Sequence, residues 1–310
     1  MERRDFLRTG VAAGAALTLN FDGLKAALTS NTMVTESASN MVAVMGGEPD
    51  VMLKKALEAL GGIGNFIKKG QKVVIKPNIG WDKTPAMASN TNPLLIKELI
   101  KQCLAAGASK VSVFDHTCDN WVKCYDKSGM KAAVSEAGGI LLPGNDEKYY
   151  KETSIPQGKH LKTAKIHEAL LEADAWINVP VMKHHGGAKF SCAMKNLMGI
   201  VWDRKFFHSN DLQQCISDIC TWEKRPVLNI VDSYRMMFRN GPQGKSEADV
   251  STLKSLIVSP DIVAADTAAL RLFNQVEKLD IAAVGHIGKG QEQNLGTTDL
   301  KKVKIQRIKI

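Results

Sequence analysis

The sequence predicts an α/β fold, a mostly parallel or mixed sheet flanked by helices in three layers. Three observations carry this. Short runs rich in Val and Ile recur along the chain, each bounded by Gly, Pro or Asn. Between them lie stretches with apolar residues every three or four positions. The two patterns alternate along the chain, as in βαβ units, and do not segregate into separate halves.

Met41–Met45 reads as the first strand. Pro49 opens a helix through Leu53, Ala56, Leu57 and Leu60, and Gly61-Gly62 stops it. Lys72–Lys76 is the second strand, closed by Pro77. Asn92-Pro93 starts the best-defined helix, with Leu95, Ile96, Leu99, Ile100, Cys103 and Leu104 on one stripe and Gly107 at its end. Lys110–Phe114 is the third strand. A helix near 129–137, a strand at Gly139–Leu142, a short strand at Leu161–Thr163 and a helix at 165–172 follow. Ala175–Val179 is a strand, Asp211–Trp222 a helix, and Pro226–Asp232 and Leu256–Val258 two more strands. Ser259-Pro260-Asp261 opens the last long helix, which runs to Phe273. Val303–Ile310 alternates apolar residues with lysines, a pattern that protects an edge strand. With no internal repeat and no Pro/Ser linker after residue 40, residues 30–310 read as a single α/β domain.

Composition narrows the class. A chain of 310 residues can bury a core without staples. With 24 % charged and 44 % hydrophobic residues it is neither a disordered chain nor a membrane bundle. Aromatics at 6 % argue against stacking on single-stranded nucleic acid. The net charge is +9, and residues 1–29 hold four basic and three acidic residues, so the excess belongs to the folded part. Its lysines are scattered, which describes a solvated surface better than a nucleic-acid interface. No nucleic-acid partner is expected.

Arg3-Arg4-Asp5-Phe6-Leu7-Arg8, followed by a small-residue run, matches a twin-arginine export signal. Residues 1–29 are therefore expected to be removed after export, with the twin-arginine translocase as partner and the periplasm as destination. The apolar run Val11–Leu19 is 9 residues, far short of a membrane span, so no stable span is expected. The six cysteines at 103, 118, 124, 192, 215 and 220 include no C-x-x-C pair, so no standard zinc or iron–sulfur motif is present. A metal or iron–sulfur centre stays open as a cofactor without such a motif.

In open α/β sheets ligands gather at the carboxyl ends of strands. Four predicted strands end in polar residues: Lys76-Pro77-Asn78, Asp115-His116, Lys183-His184-His185 after Pro180, and Asp232. The segment 183–199 is densest, adding Lys189, Cys192, Lys195 and Asn196 with Gly186, Gly187 and Gly199. A helix starting near Ser191 would offer free N–H groups to an anion. His116, His185 and Cys192 form a candidate metal set. Asp266 falls on the apolar face of the helix to Phe273, and a buried carboxylate needs a partner. The expected partner is Lys76, Lys183 or Lys195, and Lys183, Lys195 and Asp266 are the catalytic candidates. Asn240-Gly241-Pro242-Gln243-Gly244 is a tight-turn string placed to cover the strand ends, with Asn240, Gly241 and Gly244 as ligand contacts. Lys76, Asn78, Asp115, His184, Lys189, Asn196 and Asp232 complete the ligand-binding candidates.

Five segments in order carry a family resemblance: Ile75-Lys76-Pro77-Asn78, Asn178–His185, Met194–Gly199, Asn240–Gly244 and Ala264–Ala269. Together they resemble the domain-of-unknown-function family 362 across roughly the whole chain after residue 41. The resemblance implies a common site of Lys76, Asn78, Lys183, Lys195, Asn196, Asp232 and Asp266, and no assigned reaction. Two details depart from the family's pattern: Lys183-His184-His185 replaces its Lys-Thr-His, and Arg239 replaces an acidic residue. The ferredoxin module of many members is missing from this sequence. Three functions follow as expectations: an exported enzyme acting on an anionic small molecule, with a lysine as acid–base group or covalent anchor for a carbonyl; a redox accessory protein carrying a metal or iron–sulfur centre; and a non-catalytic binder of a small anion. The export signal generates a direct test. Arg3→Lys with Arg4→Lys is expected to hold the protein in the cytoplasm, read by cell fractionation; normal periplasmic yield would refute the signal.

Overall fold

Residues 40–310 are described by the computed structural model. The twin-arginine segment lies outside them. Among the described residues no helix is long and apolar enough to cross a membrane.

Among the described residues twelve strands and ten α-helices keep the predicted alternation; the helices Trp121–Lys127, Lys205–Ser209 and Gly285–Glu292 and the strand Lys189–Ser191 lie in stretches given no element above, and two further segments are exceptions. In chain order the sheet-forming segments are β1 (Asn40–Met45), β2 (Lys72–Pro77), β3 (Lys110–Val113), β4 (Ile140–Leu141), β5 (Tyr150–Ser154), β6 (Thr163–His167), β7 (Ala175–Val179), β8 (Val181–His185), β9 (Lys189–Ser191), β10 (Leu228–Met237), β11 (Val250–Ser259) and β12 (Lys304–Lys309). The main sheet runs β12-β1-β11-β10-β7-β2-β3-β4. Strands β10, β7, β2, β3 and β4 are parallel, while β11 is antiparallel to both its neighbours, so the sheet is mixed. Strand β12 pairs with β1 alone, the edge position its alternating lysines foretell.

One exception is the hairpin of β5 and β6, where residues 165–172 had read as a helix. The alternation of Thr163, Ala164, Lys165 and Ile166 is a strand pattern, buried at Ala164 and Ile166, and only 168–171 are helical. The other is the stretch after Pro180, treated above as the polar end of the preceding strand, which forms a strand of its own. Strand β10 is 10 residues long; β7 pairs with its start and β8 with its later half, so β8 continues the line of β7 past the proline.

One face of the sheet is apolar. Val73, Ile75, Val111, Val113, Ile177, Leu228, Ile230, Leu256 and Val258 pack there against α1 (Pro49–Ala59) and α2 (Pro93–Ala105). Helix α2 starts where predicted: the Asn92 side chain accepts from Leu94 N at 3.0 Å and Pro93 fills the first turn. The stripe Leu95, Ile96, Leu99 and Ile100 is fully buried, each side chain contributing about 2 kcal/mol of burial. Helices α3 (Trp121–Lys127) and α4 (Met130–Glu136) join this face through Tyr125, Met130 and Val134, and the short α5 (Glu168–Leu171) follows β6.

That second face carries a polar row. Lys76 on β2 lies opposite Asn178 on β7, Asn178 opposite Asn229 on β10, and Asn229 opposite Ser259 on β11. All four are fully buried. Asn178 Nδ2 donates to Asn229 Oδ1 at 3.0 Å and to the backbone oxygen of Ala193 at 3.0 Å. Asn229 Nδ2 donates to the Ser259 carbonyl at 3.2 Å. The row seats α6 (Ala193–Asn196), whose Asn196 Nδ2 donates to Asn178 Oδ1 at 2.8 Å. Over it pack α8 (Leu212–Ile219) and α9 (Ile262–Phe273), with α7 (Lys205–Ser209) and α10 (Gly285–Glu292) outside. Asn178→Ala removes the donor to Asn229 Oδ1 and to the Ala193 carbonyl and one of the two acceptors of Asn196 Nδ2, which keeps the Lys76 carbonyl at 3.2 Å. It is expected to cost about 3 kcal/mol in urea unfolding with an unchanged m-value, since each orphaned buried group costs ~1–3 kcal/mol.

Candidate functional site

Three of the four polar strand ends, those after β2, β3 and β8, meet at one site while Asp232 does not, and the anchor is Lys76. Its ammonium is wholly buried at the end of β2, 2.8 Å from Asp115 Oδ1. It also donates to the Asn196 backbone oxygen at 2.7 Å and to Asn196 Oδ1 at 2.9 Å. Asp115 Oδ2 accepts from Ile79 N at 2.7 Å. Burial lowers the Lys76 pKa, and Asp115 opposes that shift. Gly199 closes the arrangement: a Cβ there would collide with both Asp115 Oδ1 and the Lys76 ammonium, which excludes every other residue.

Beside this pair opens a cleft of about 1300 Å³, bordered by the carboxyl ends of β2, β3 and β8, the 197–206 segment and the β5–β6 hairpin. Asn78, Asp115, His116, Lys183, His185, Lys195 and Asn196 all line it. Lys183 is buried, donating to Asn78 Oδ1 at 2.8 Å and to the Ser89 carbonyl. Burial brings its pKa down to about 7. Lys195, on α6, has no hydrogen-bond or carboxylate partner among the described residues; burial, with Arg204 and Lys76 adding repulsion, brings it down to about 8.

Two histidines in the cleft are fixed as opposite tautomers. His116 Nδ1 lies 2.8 Å from the Val201 carbonyl, which can only accept, so Nδ1 carries the proton and Nε2 a lone pair. Its ring stacks on Trp202 with centroids 4.9 Å apart, and burial and then Arg204 hold it neutral, with a pKa down to about 4. His185 Nδ1 accepts from Ala188 N at 3.1 Å, so its proton sits on Nε2; burial and the neighbouring lysines push its pKa far down. The cleft thus holds an imidazole acceptor and an imidazole donor.

Three residues escaped the sequence reading. Arg204 donates from Nη1 to the His116 carbonyl at 2.9 Å and from Nη2 to the Thr117 carbonyl at 2.8 Å, clamping the loop after β3. Cys118, exposed at the rim, lies 3.1 Å from Arg204 Nη1. Trp202 backs His116. None belongs to a strand end or a motif; the available signal was a cation set between aromatics in Trp202-Asp203-Arg204-Lys205-Phe206.

Other expectations are corrected. Asp266 is fully buried but pairs with no lysine. Its carboxylate accepts from Ala193 N at 2.6 Å and Met194 N at 3.1 Å, and His286 Nε2 stands 3.9 Å away. Burial raises it to about 7 against these N–H donors. Asp266 therefore positions the helix turn that carries Lys195 and Asn196, and it takes the N–H groups that had been expected to face an anion. Cys192 is buried behind that turn and outside the cleft, so His116, His185 and Cys192 do not form a metal set; among the described residues no three His, Cys, Asp or Glu side chains do. Asp232 accepts from Asn92 N at 2.7 Å and Tyr234 N at 3.1 Å, bracing the start of α2 away from the cleft. Lys189 is exposed on the β8–β9 hairpin. His184 points to the 240–244 turn, where its Nδ1 accepts from Gly241 N at 3.1 Å. A Cβ at Gly241 would strike the His184 carbonyl, and Gly244 has φ +73, so both glycines shape the turn. Asn240 bonds Asp249 at 2.8 Å; of this turn only Pro242 lines the cleft.

The fold and the cleft define an α/β protein with a cationic site at the carboxyl ends of its parallel strands. The chain belongs to the family Domain of unknown function (DUF362), whose model matches residues 73–271, more than half of the sequence. A thylakoid-associated protein, sll1697, of Synechocystis sp. is 26 % identical over 221 residues, 69 % of this chain and 66 % of that protein. The chain therefore spans just under two thirds of that relative's length. The lactate racemase apoprotein of Thermoanaerobacterium thermosaccharolyticum superposes with a TM-score of 0.42 at 16 % identity, over 73 % of this chain and 55 % of that one.

Asp115→Asn leaves Lys76 buried without its counter-charge. The expected loss is ~3–5 kcal/mol, the usual cost of breaking one side of a buried pair, read as a fall in the denaturation midpoint. Stability within ~0.5 kcal/mol of the parent would show that Asn196 alone satisfies the ammonium.

Proposed function

We propose that this protein is an exported enzyme that acts on a small organic anion held in the cleft between Lys183, Lys195 and Arg204. The observation that carries the reading is the unbalanced charge. Asp115 is taken by Lys76, and of the other carboxylates on the lining, Glu147, Glu152 and Asp203, none pairs with Lys183, Lys195 or Arg204, so these three cations have no carboxylate partner among the described residues. Like charges gathered in a half-enclosed site repel one another, and an anionic ligand relieves that cost. Lys195 is the clearest contact because its ammonium has no other partner.

The enzyme class follows from what surrounds the anion. His116 presents a lone pair on Nε2 and stays unprotonated at neutral pH. His185 presents Nε2–H. A neutral base and a neutral donor across one cleft suit proton transfer at a carbon or oxygen next to the anionic group. A binder alone has no use for two imidazoles locked in opposite tautomers. The twin-arginine-like sequence Arg3–Arg8 supports the export in this reading.

The charge state supplies the test, with sulfate as probe because it stays doubly charged across the range. Lys183 and Lys195, lowered to about 7 and about 8, are protonated below those values and lose charge above them. Sulfate affinity by calorimetry is therefore expected to fall on the order of tenfold or more from about pH 6 to about pH 9, the equivalent of about one pKa unit of coupling. Lys195→Met is expected to lose most of the binding at the lower pH. Binding that ignores both changes would sink the proposal.

A further inference from the structure

We infer that Lys183 is a covalent amine nucleophile that forms an imine with the carbonyl carbon of a small oxo acid, whose carboxylate lies against Lys195 and Arg204. This rests on the anionic-substrate reading above and gives that substrate its second functional group.

The argument is a count of donors. Lys183 Nζ has two acceptors, Asn78 Oδ1 at 2.8 Å and the Ser89 carbonyl, and no third among the described residues. An ammonium carries three N–H bonds and would turn the third toward the cleft, where no side chain among the described residues accepts it. A neutral amine carries two, both satisfied, and its lone pair is left for the cleft that Lys183 lines. Asn78 and Ser89 thus orient the nitrogen as a base and nucleophile. No carboxylate stands by to keep it charged, because Asp115 is committed to Lys76. Burial holds Lys183 at about 7, below Lys195 at about 8.

The buried lysines divide the work by their partners. Lys76, with a carboxylate and an amide, is structural. Lys195, without a partner, remains the cation for the substrate carboxylate. Lys183, with two neutral acceptors, supplies the reactive amine.

The chemistry balances without an oxidant or reductant. The Lys183 lone pair attacks the carbonyl carbon, a C–N bond forms, and the carbonyl π pair moves to oxygen, which takes a proton. The nitrogen then loses a proton, the hydroxyl takes a second proton and leaves as water while the nitrogen lone pair closes the C=N bond, and the resulting iminium gives one proton back. Amine and carbonyl give imine and one water. His185 Nε2–H and the His116 Nε2 lone pair are the groups in the cleft able to give and take these protons.

The full-chain protein, incubated with glyoxylate or pyruvate and reduced with borohydride, is digested and mapped by mass spectrometry. The expected product is a carboxymethyl or carboxyethyl group on Lys183, in excess of any exposed lysine and more abundant at about pH 8 than at about pH 5.5, where the amine is protonated. Lys183→Arg removes that label. Because the site is read on the native sequence, the result does not depend on how well the variant folds. Labelling spread over exposed lysines and absent from Lys183, while the oxo acid still competes with sulfate, overturns the imine and leaves the anion site standing. Failure of both sulfate and oxo acid to bind overturns the anion site and the imine with it.

Discussion

A lysine ammonium enclosed at the end of a central strand sets the terms for the rest of this molecule. Stripping an ammonium of water is costly, and partners must replace the lost hydration. Lys76 obtains them from three directions: Asp115 beyond the next strand, and both the backbone and the side chain of Asn196. These demands fix the path of the chain. The loop after β3 must bring its carboxylate inward, the 193–200 turn must lie flat on the sheet, and residue 199 must have no side chain. The asparagines at 178 and 229 carry the same accounting across two more strands, each satisfying the next. A polar row of this kind adds little net stability. It does specify one seating for α6, since every other seating leaves buried groups unpaired.

What that seating achieves is a separation of charges by role. The single buried carboxylate at the end of β3 is consumed inside the fold, and the backbone N–H groups of α6 are consumed by Asp266. The cleft therefore faces solvent with its positive groups unspent. Active sites commonly carry such unfavourable electrostatics, and the surrounding framework tolerates it because the desolvated apolar face beneath α1 and α2 is extensive.

Much of this was legible in the sequence, for physical reasons. Buried parallel strands are mostly apolar, so polar residues at their carboxyl ends stand out; Lys76, Asn78, Asp115, His116, Lys183 and His185 were found that way, Lys195 and Asn196 by the polar density of 183–199, and all but Lys76 line the cleft. Caps were equally readable, as at Asn92-Pro93. The partner of Asp266 was not. A carboxylate on an apolar helix face announces that it needs donors, but a backbone N–H serves as well as an ammonium and leaves no mark in the side-chain pattern. Asp232 misled for the same reason, since its partners are also backbone. The hairpin β5–β6 was misread because a short segment of mixed polarity fits both periods. Arg204 and Cys118 come from irregular chain, where no periodicity exists to expose them.

The end-to-end arrangement of β7 and β8 along β10 has an evolutionary consequence. Side chains of β8 alternate, so Lys183 and His185 enter the cleft while His184 turns to the glycine turn. Gaining or losing one residue at the Pro180 junction would invert that parity, presenting His184 to the ligand and hiding both its neighbours. Length changes at the junction are therefore confined to even numbers or none, and the hairpin tip is held as well, since only Gly186 and Gly187 are exposed there while buried Ala188 donates its N–H to His185 Nδ1.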